Sequence, residues 1–317
     1  MPALSATVAG LRCSVVIPTR DRPEALECCL QAVQRLEAPP DEILVVDSAP
    51  QRFPAEQIAA RYGARYFLET KPGASRARNL GAKESVGDVI AYLDDDSIPE
   101  PGWLSALMEE FSDPEVAAVT GRILPERTVT EAERVFESLG GLDAGEQYRK
   151  LDRAAPQWFE LANFGGMPGG GNLAVRRSVF DSWPGFDERL GRGALQDCNE
   201  EPHAYLSLLE RGHRVAYTPR SVVRHPSPST AADLRSRYLR DMRWSAAYMT
   251  LLAVEFPRHR RAVLKYAWQG LLGKRREWRS RSTAARNRIA PRWRTMLEWM
   301  KGPFLYLRMR WRTREGK

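Results

Sequence analysis

A chain of 317 residues, 43% hydrophobic and 28% charged, is long enough for a large α/β domain with an appendage, and its balance argues against a disordered or integral membrane class. Its formal charge of +8 conceals an asymmetry: residues 231–317 hold 23 Lys/Arg against 6 Asp/Glu, which leaves 25 against 34 for the rest. An acidic body with a basic tail points the tail at a polyanionic surface, either lipid or nucleic acid. No run reaches the roughly 18 apolar residues of a transmembrane helix. Residues 1–12 read as a leader without the basic start and apolar stretch of a signal peptide, so the expectation is a cytoplasmic protein. Cys13, Cys28, Cys29 and Cys198 show no C-x-x-C spacing and read as reduced thiols, with Cys28 and Cys29 as small core residues of a helix.

Cys13 to Pro18 is a β-branched apolar run, and Thr19 to Pro23 after it predicts a loop and a helix start. Helical spacing over 24–37 ends at Pro39-Pro40, and Glu42 to Asp47 predicts a buried strand ending on an acid. A helix near Ala55 to Tyr62, a short strand at Arg65 to Leu68 and a helix opening after Gly73 follow. Val89 to Leu93 then runs straight into Asp94-Asp95-Asp96. Strands alternating with helices predict a mostly parallel sheet with functional loops at the strands' carboxyl ends. Asp47 and the Asp triplet would share that edge.

Further on, Trp103 to Phe111 reads as helix, Val116 to Thr120 as strand and 121–165 as irregular. Gly165 to Gly171 must be loop, because so many glycines forfeit helix and strand. Asn172 to Arg176 predicts a strand, Tyr205 to Arg211 a helix stopped by Gly212, and Val215 to Tyr217 and Ser221 to His225 two extended pieces. From Thr230 the pattern is helical and basic with interleaved Trp.

Acids crowded at the end of a buried strand repel one another unless something positive sits there. A divalent cation, Mg²⁺ or Mn²⁺, is the economical answer for the Asp triplet, with a solvated turn before Pro99 as the alternative. Arg76 and Arg78 near a helix start suit phosphate, or simply a solvated face. The glycine run would let backbone N–H groups approach a diphosphate or sugar closely. Glu200-Glu201 suit a helix's first turn on dipole grounds alone, and His225 is either a metal ligand or a hydrogen-bonded core histidine.

Taken together, SVVIPTRDRP, VVDSAP, GASRARNLGA, IAYLDDDSIPEPGWL, GGGNLAVRRSVFDSWPGFDERLGRG, EEPHAYLSLLERG and VAYTPRSVVRH occur in this order over residues 13–226. The chain thereby resembles the family 2 glycosyltransferases, inverting enzymes of the GT-A fold. The resemblance implies a GT-A domain over 13–229 with a mostly parallel central sheet, and a basic helical extension over 230–317. It implies that Pro18, Thr19 and Asp47 hold the base and ribose of a nucleoside-diphosphate sugar, a UDP-sugar by preference, with Arg76 and Arg78 near the nucleotide. Asp94 and Asp96 would form the DxD element, with Asp96 the direct metal ligand and Asp95 between them part of the donor site. His225 and Asp94 would complete the metal and diphosphate site, and Gly171 and Asn172 would line the donor sugar. The family's Glu-Asp before the last helix becomes Glu200-Glu201 here, placing Glu201 at the general base with Glu200 and Asp197 in reserve. Arg240 to Trp244 departs from the Q-x-x-R-W of processive members by its first residue, which argues against a polymerase. A saccharide or lipid-linked acceptor is implied. The clusters Lys274-Arg275-Arg276 beside Trp278 and Arg292-Trp293-Arg294 suggest a peripheral hold on the inner face of an anionic membrane, a nucleic-acid partner being the weaker reading of the same charge. A sugar nucleotidyltransferase is the rival enzyme class, but it would carry a Gly-rich loop where Pro18-Thr19-Arg20 stands.

Overall fold

The computed structural model describes residues 10–169, 171–271 and 289–315. The Lys274–Trp278 cluster, Gly170 and residues 1–9 lie outside them. Contacts divide the chain into two compact units. The first comprises the chain up to Glu126, Leu142–Glu188 and Glu200–Pro226. The second comprises Arg127–Gly141, Arg189–Asn199 and the chain from Ser227 on.

In the first unit, β1 (Cys13–Thr19), β2 (Glu42–Ser48), β3 (Arg65–Glu69) and β4 (Val89–Leu93) form a parallel array in the order β3-β2-β1-β4. Strands with both faces covered carry near-continuous apolar runs, and all five residues of β4 are buried. The sheet continues through β8 (Asn172–Arg176), β6 (Val116–Pro125) and β9 (Arg214–His225) to the two-residue β5 (Ile98–Pro99), and β7 (Arg149–Leu151) also pairs with β9. β8 is antiparallel to both β4 and β6, while β6 and β9 are parallel. Hence β1, β2, β3, β4, β6 and β9 point one way and β5, β7 and β8 the other.

Alternate β1 residues face opposite layers, as a period of two requires. Cys13, Val15 and Ile17 pack with α1 (Pro23–Val33) and α4 (Trp103–Glu109), while Val16 packs with α3 (Ala74–Glu84) and α7 (Glu200–Glu210). Pro23 opens α1, where its missing N–H is no loss, and Leu26, Cys29, Leu30 and Val33 form its buried face. Cys28 is exposed, contrary to the core position expected of it, because adjacent helical residues point about 100° apart. Gly81 lets α3 lie against β1: a Cβ there would come within 2.3 Å of Val16 Cγ1.

Three segments differ from their expected form. Residues 121–165 are not simply irregular, since β6 runs on to Pro125 and α5 (Glu131–Ser138), β7 and α6 (Trp158–Asn163) follow. The two extended pieces near 215–225 are one strand with a register shift opposite Gly121/Arg122, where Pro219 removes a ladder donor. Helix α7 begins at Glu200 rather than Tyr205, because Pro202 is tolerated in a first turn that its two acids favour.

The second unit holds α5, α8 (Ala231–Glu255), α9 (Arg260–Leu271) and α10 (Arg292–Glu315). Helices α8 and α10 meet at small residues: a Cβ on Gly302 would come 2.4 Å from the Ala246 Cβ. Arg189 pairs with Glu255 at 2.8 Å, and the Tyr306 hydroxyl donates to Glu255 at 3.1 Å. No described helix is long and apolar enough to cross a membrane.

Candidate active site

The carboxyl ends of β1, β2, β4 and β9 lie on one edge of the sheet, and the reversed β8 starts there. Thr19, Asp47, the Asp triplet, His225 and Asn172 sit at those strand ends. This is the edge on which open α/β sheets bind ligands.

Side-chain ligand atoms of Asp94, Asp96 and His225 lie within 4.8 Å of one another. His225 Nε2 is 3.3 Å from Asp96 Oδ1, and its Nδ1 is 2.8 Å from the Pro226 carbonyl oxygen. With the proton on Nδ1, which donates to that carbonyl, Nε2 turns a lone pair toward a carboxylate lone pair. Two such acceptors face each other only across a proton or a cation. The donor set of two carboxylates and one imidazole suits Mn²⁺ or Mg²⁺. Burial works to raise the Asp96 carboxyl, but when Nε2 too is protonated the hydrogen bond and charge of His225, with the charge of Arg22, outweigh it and hold Asp96 far below the ordinary carboxylate range.

Asp95 faces other partners. Its Oδ2 accepts from the Thr19 hydroxyl at 2.7 Å and its Oδ1 lies 3.1 Å from Arg22 Nη1, which also reaches Asp96 Oδ2 at 2.7 Å. Burial pushes Asp95 up to about 6, with Arg22 and Thr19 acting against it. Arg22 therefore ties the β1–α1 loop to the triplet. Sequence reasoning passed over it, because nothing along the chain couples residues 22 and 95.

A second cluster forms around Arg78. Its guanidinium, 3% exposed, is 3.0 Å from Asp94 Oδ1, 3.0 Å from Glu200 Oε1 and 3.1 Å from Glu201 Oε1. One fixed cation among three carboxylates leaves a surplus of negative charge in a dry setting, so the most buried acid gives up its proton least readily. Burial, then the charge of Glu200, raise Glu201 well above the ordinary range, while Arg78 pulls the other way. Arg76 stands apart, paired with Glu188. Asp197 lies in the second unit, where its Oδ1 accepts the Gly193 N–H at 3.0 Å.

The glycine loop closes over these acids. The Gly171 N–H donates to Asp94 Oδ2 at 3.0 Å, and a Cβ on Gly171 would lie 2.2 Å from the Asp94 backbone nitrogen, so only glycine fits. The Tyr205 hydroxyl donates to the Pro168 carbonyl at 2.9 Å and anchors the loop to α7. The side chain of Asn172 is wholly buried and committed to the fold: its Oδ1 accepts from Trp103 Nε1 at 2.8 Å and its Nδ2 donates to the Arg122 and Ser221 carbonyls.

At the end of β2, Asp47 Oδ2 accepts the Ala55 N–H at 2.8 Å and the Tyr66 hydroxyl at 3.3 Å. Its Oδ1 is buried without a hydrogen-bond partner among the described residues, and burial raises the carboxyl above its usual range. A buried acceptor left over is rare and points to a ligand donor. Pro18 is half-buried just before Thr19.

The sheet order, the strand-end acids and the helices on both faces together define a GT-A glycosyltransferase fold. The sequence profile described as Glycosyl transferase family 2 matches residues 14–183, more than half of the chain. The chain belongs to that family. Among its relatives, the O-antigen biosynthesis protein RfbC of Myxococcus xanthus is 28% identical over 236 residues, 69% of this chain and 18% of that protein. The glucosyl-dolichyl phosphate glucuronosyltransferase of Haloferax volcanii is 25% identical over 229 residues, 68% of this chain and 69% of that protein. The chain thus spans less than a fifth of the first relative's length. The mannosyltransferase PcManGT of Pyrobaculum calidifontis, solved with GDP-Man and Mn²⁺, shares the fold with a TM-score of 0.57 at 16% identity, over 94% of this chain and 88% of that one.

Proposed function

We propose that the protein transfers a single sugar from a nucleoside-diphosphate sugar to a saccharide or lipid-linked acceptor with inversion at the anomeric carbon, working at the inner face of a membrane. The observation that carries the chemistry is the convergence of Asp94, Asp96 and His225 beside the buried Arg78–Glu201 pair. The name of the dolichyl-phosphate relative supports the acceptor class.

In this reading Glu201, on the first turn of α7, takes the proton of the acceptor hydroxyl as that oxygen attacks the anomeric carbon and the bond to the diphosphate breaks. Arg78 holds the Glu201 carboxylate in place and keeps Asp94 turned toward His225. Asp47 Oδ1 accepts a ring N–H of the base, a donor that uracil, thymine and guanine carry and adenine and cytosine lack. Asp94, Asp96 and His225 hold Mg²⁺ or Mn²⁺, which when bound supplies charge neutralisation at the departing diphosphate.

The test is hydrolysis of a panel of nucleotide-sugars with and without Mn²⁺, beside Asp96→Ala and His225→Ala variants checked for folding by circular dichroism. Mn²⁺-dependent donor cleavage, lost in folded Asp96→Ala and weakened in His225→Ala, is expected. Undiminished metal-dependent cleavage in Asp96→Ala overturns the site.

A further inference from the structure

Helix α10 packs on α8 through one face, where Gly302, Tyr306 and Met309 are buried. The opposite face is apolar as well. Trp293, Leu297, Met300, Phe304, Leu307 and Trp311 follow one another at intervals of four and three residues, the spacing that keeps side chains on one side of a helix. Phe304 is 72% exposed and the other five between 49% and 60%. At 1.5 Å per residue the stripe is about 27 Å long. Soluble surfaces rarely leave an apolar band of this length bare.

The rims of the stripe identify what covers it. At about 100° per residue, Arg294, Lys301, Arg308 and Arg312 run along one border and Arg292 and Arg310 along the other. Within Arg292–Glu315 there are seven Lys/Arg and two Asp/Glu, and one of those acids, Glu298, pairs with Lys301 at 2.6 Å and Arg243 at 2.7 Å. A second copy of the chain would bring the same positive rims against each other. An anionic bilayer instead offers hydrocarbon to the stripe and phosphates to both borders, with Trp293 and Trp311 at headgroup depth near the two ends.

We infer that α10 lies in the plane of an anionic bilayer with the Trp293–Trp311 stripe in its outer hydrocarbon layer. The inference rests on the membrane setting of the proposed function and names the surface that makes the contact.

The experiment uses the full chain and two vesicle compositions, phosphatidylcholine alone and phosphatidylcholine with about a third phosphatidylglycerol. Sedimentation is compared for wild type, for Phe304→Ser/Leu307→Ser and for Arg308→Glu/Arg312→Glu, with folding checked by circular dichroism and oligomeric state by light scattering. Wild type should bind the anionic vesicles and release with salt, and each variant should partition at least ten-fold less while folded. Wild type that ignores anionic vesicles overturns the inference. So does serine-variant binding equal to wild type, or a wild-type dimer that the serine variant dissociates. Nucleotide-sugar hydrolysis in vesicle-free solution is measured on the same proteins. Vesicle binding without any hydrolysis would sink the catalytic reading alone, and hydrolysis without vesicle binding would sink this inference and the membrane setting while the transfer chemistry stands.

Discussion

Glu201 carries the sharpest consequence at the scale of single residues. The proposed base must be ionised, and burial with Glu200 alongside raises Glu201, so kcat/KM should fall as pH drops through a limb lying above the ordinary glutamate pKa of about 4.3. Glu201→Gln should bind donor with unchanged affinity by calorimetry, turn over roughly two to four orders of magnitude more slowly and lack that limb. A variant within three-fold of wild type removes Glu201 from the chemistry. Stability carries the matching sign. The native state holds this proton more tightly than the unfolded chain, so the contribution of Glu201 to folding declines as pH rises from the unfolded value through the raised native one. Gly171 makes a second prediction. A Cβ there meets the Asp94 backbone, so Gly171→Ala should destabilise by about 1–3 kcal/mol, read by denaturant titration, and should weaken Mn²⁺ binding through the displaced Asp94. Asp47 and the triplet were legible as residues because each ends a buried apolar strand. Arg22 and Trp103 were not, since their roles exist only through partners 73 and 69 positions away.

Elements were legible where one period dominated. β1, β2, β4 and β8 are short apolar runs with loop signals at their ends, and their bounds follow. Helix α5 was missed because its apolar residues are few and its start is a hydrogen-bonding device. Thr130 accepts the Glu133 N–H at 3.2 Å while the Glu133 carboxylate accepts the Thr130 N–H at 2.8 Å. Thr130→Ala should therefore cost about 1 kcal/mol, a fall in melting temperature of a few degrees, with donor hydrolysis unchanged. A variant that melts with wild type would show that the cap is replaced by solvent. The direction of β8 was not legible either. An apolar five-residue strand reads alike in both orientations, and only its hydrogen bonds to β4 and β6 make it antiparallel. That reversal brings the Gly171 end of the strand onto the carboxyl edge beside Asp94.

At the scale of the whole molecule, a ligand that binds only the native state stabilises it by mass action. UDP at about 100 times its dissociation constant, with Mn²⁺ held constant throughout, should add about 2.7 kcal/mol and raise the melting temperature, with ADP giving a smaller shift. Equal shifts from both nucleotides would remove Asp47 as the reader of the base. The amino-acid sequence by itself determined the α/β class, the family, the acids at the strand ends and the division between an acidic body and a basic tail. Each of these is carried by local periodicity or by residues close together in the chain. The tertiary structure alone decided which acids face one another, that Asp95 turns to Thr19 and Arg22 while Asp94 and Asp96 turn to His225, and that the apolar residues of α10 divide between a buried and a bare face. The physical reason is the same throughout. A charge or an apolar surface acquires its meaning from what stands within a few ångströms of it, and the chain brings those neighbours from positions that no local pattern connects.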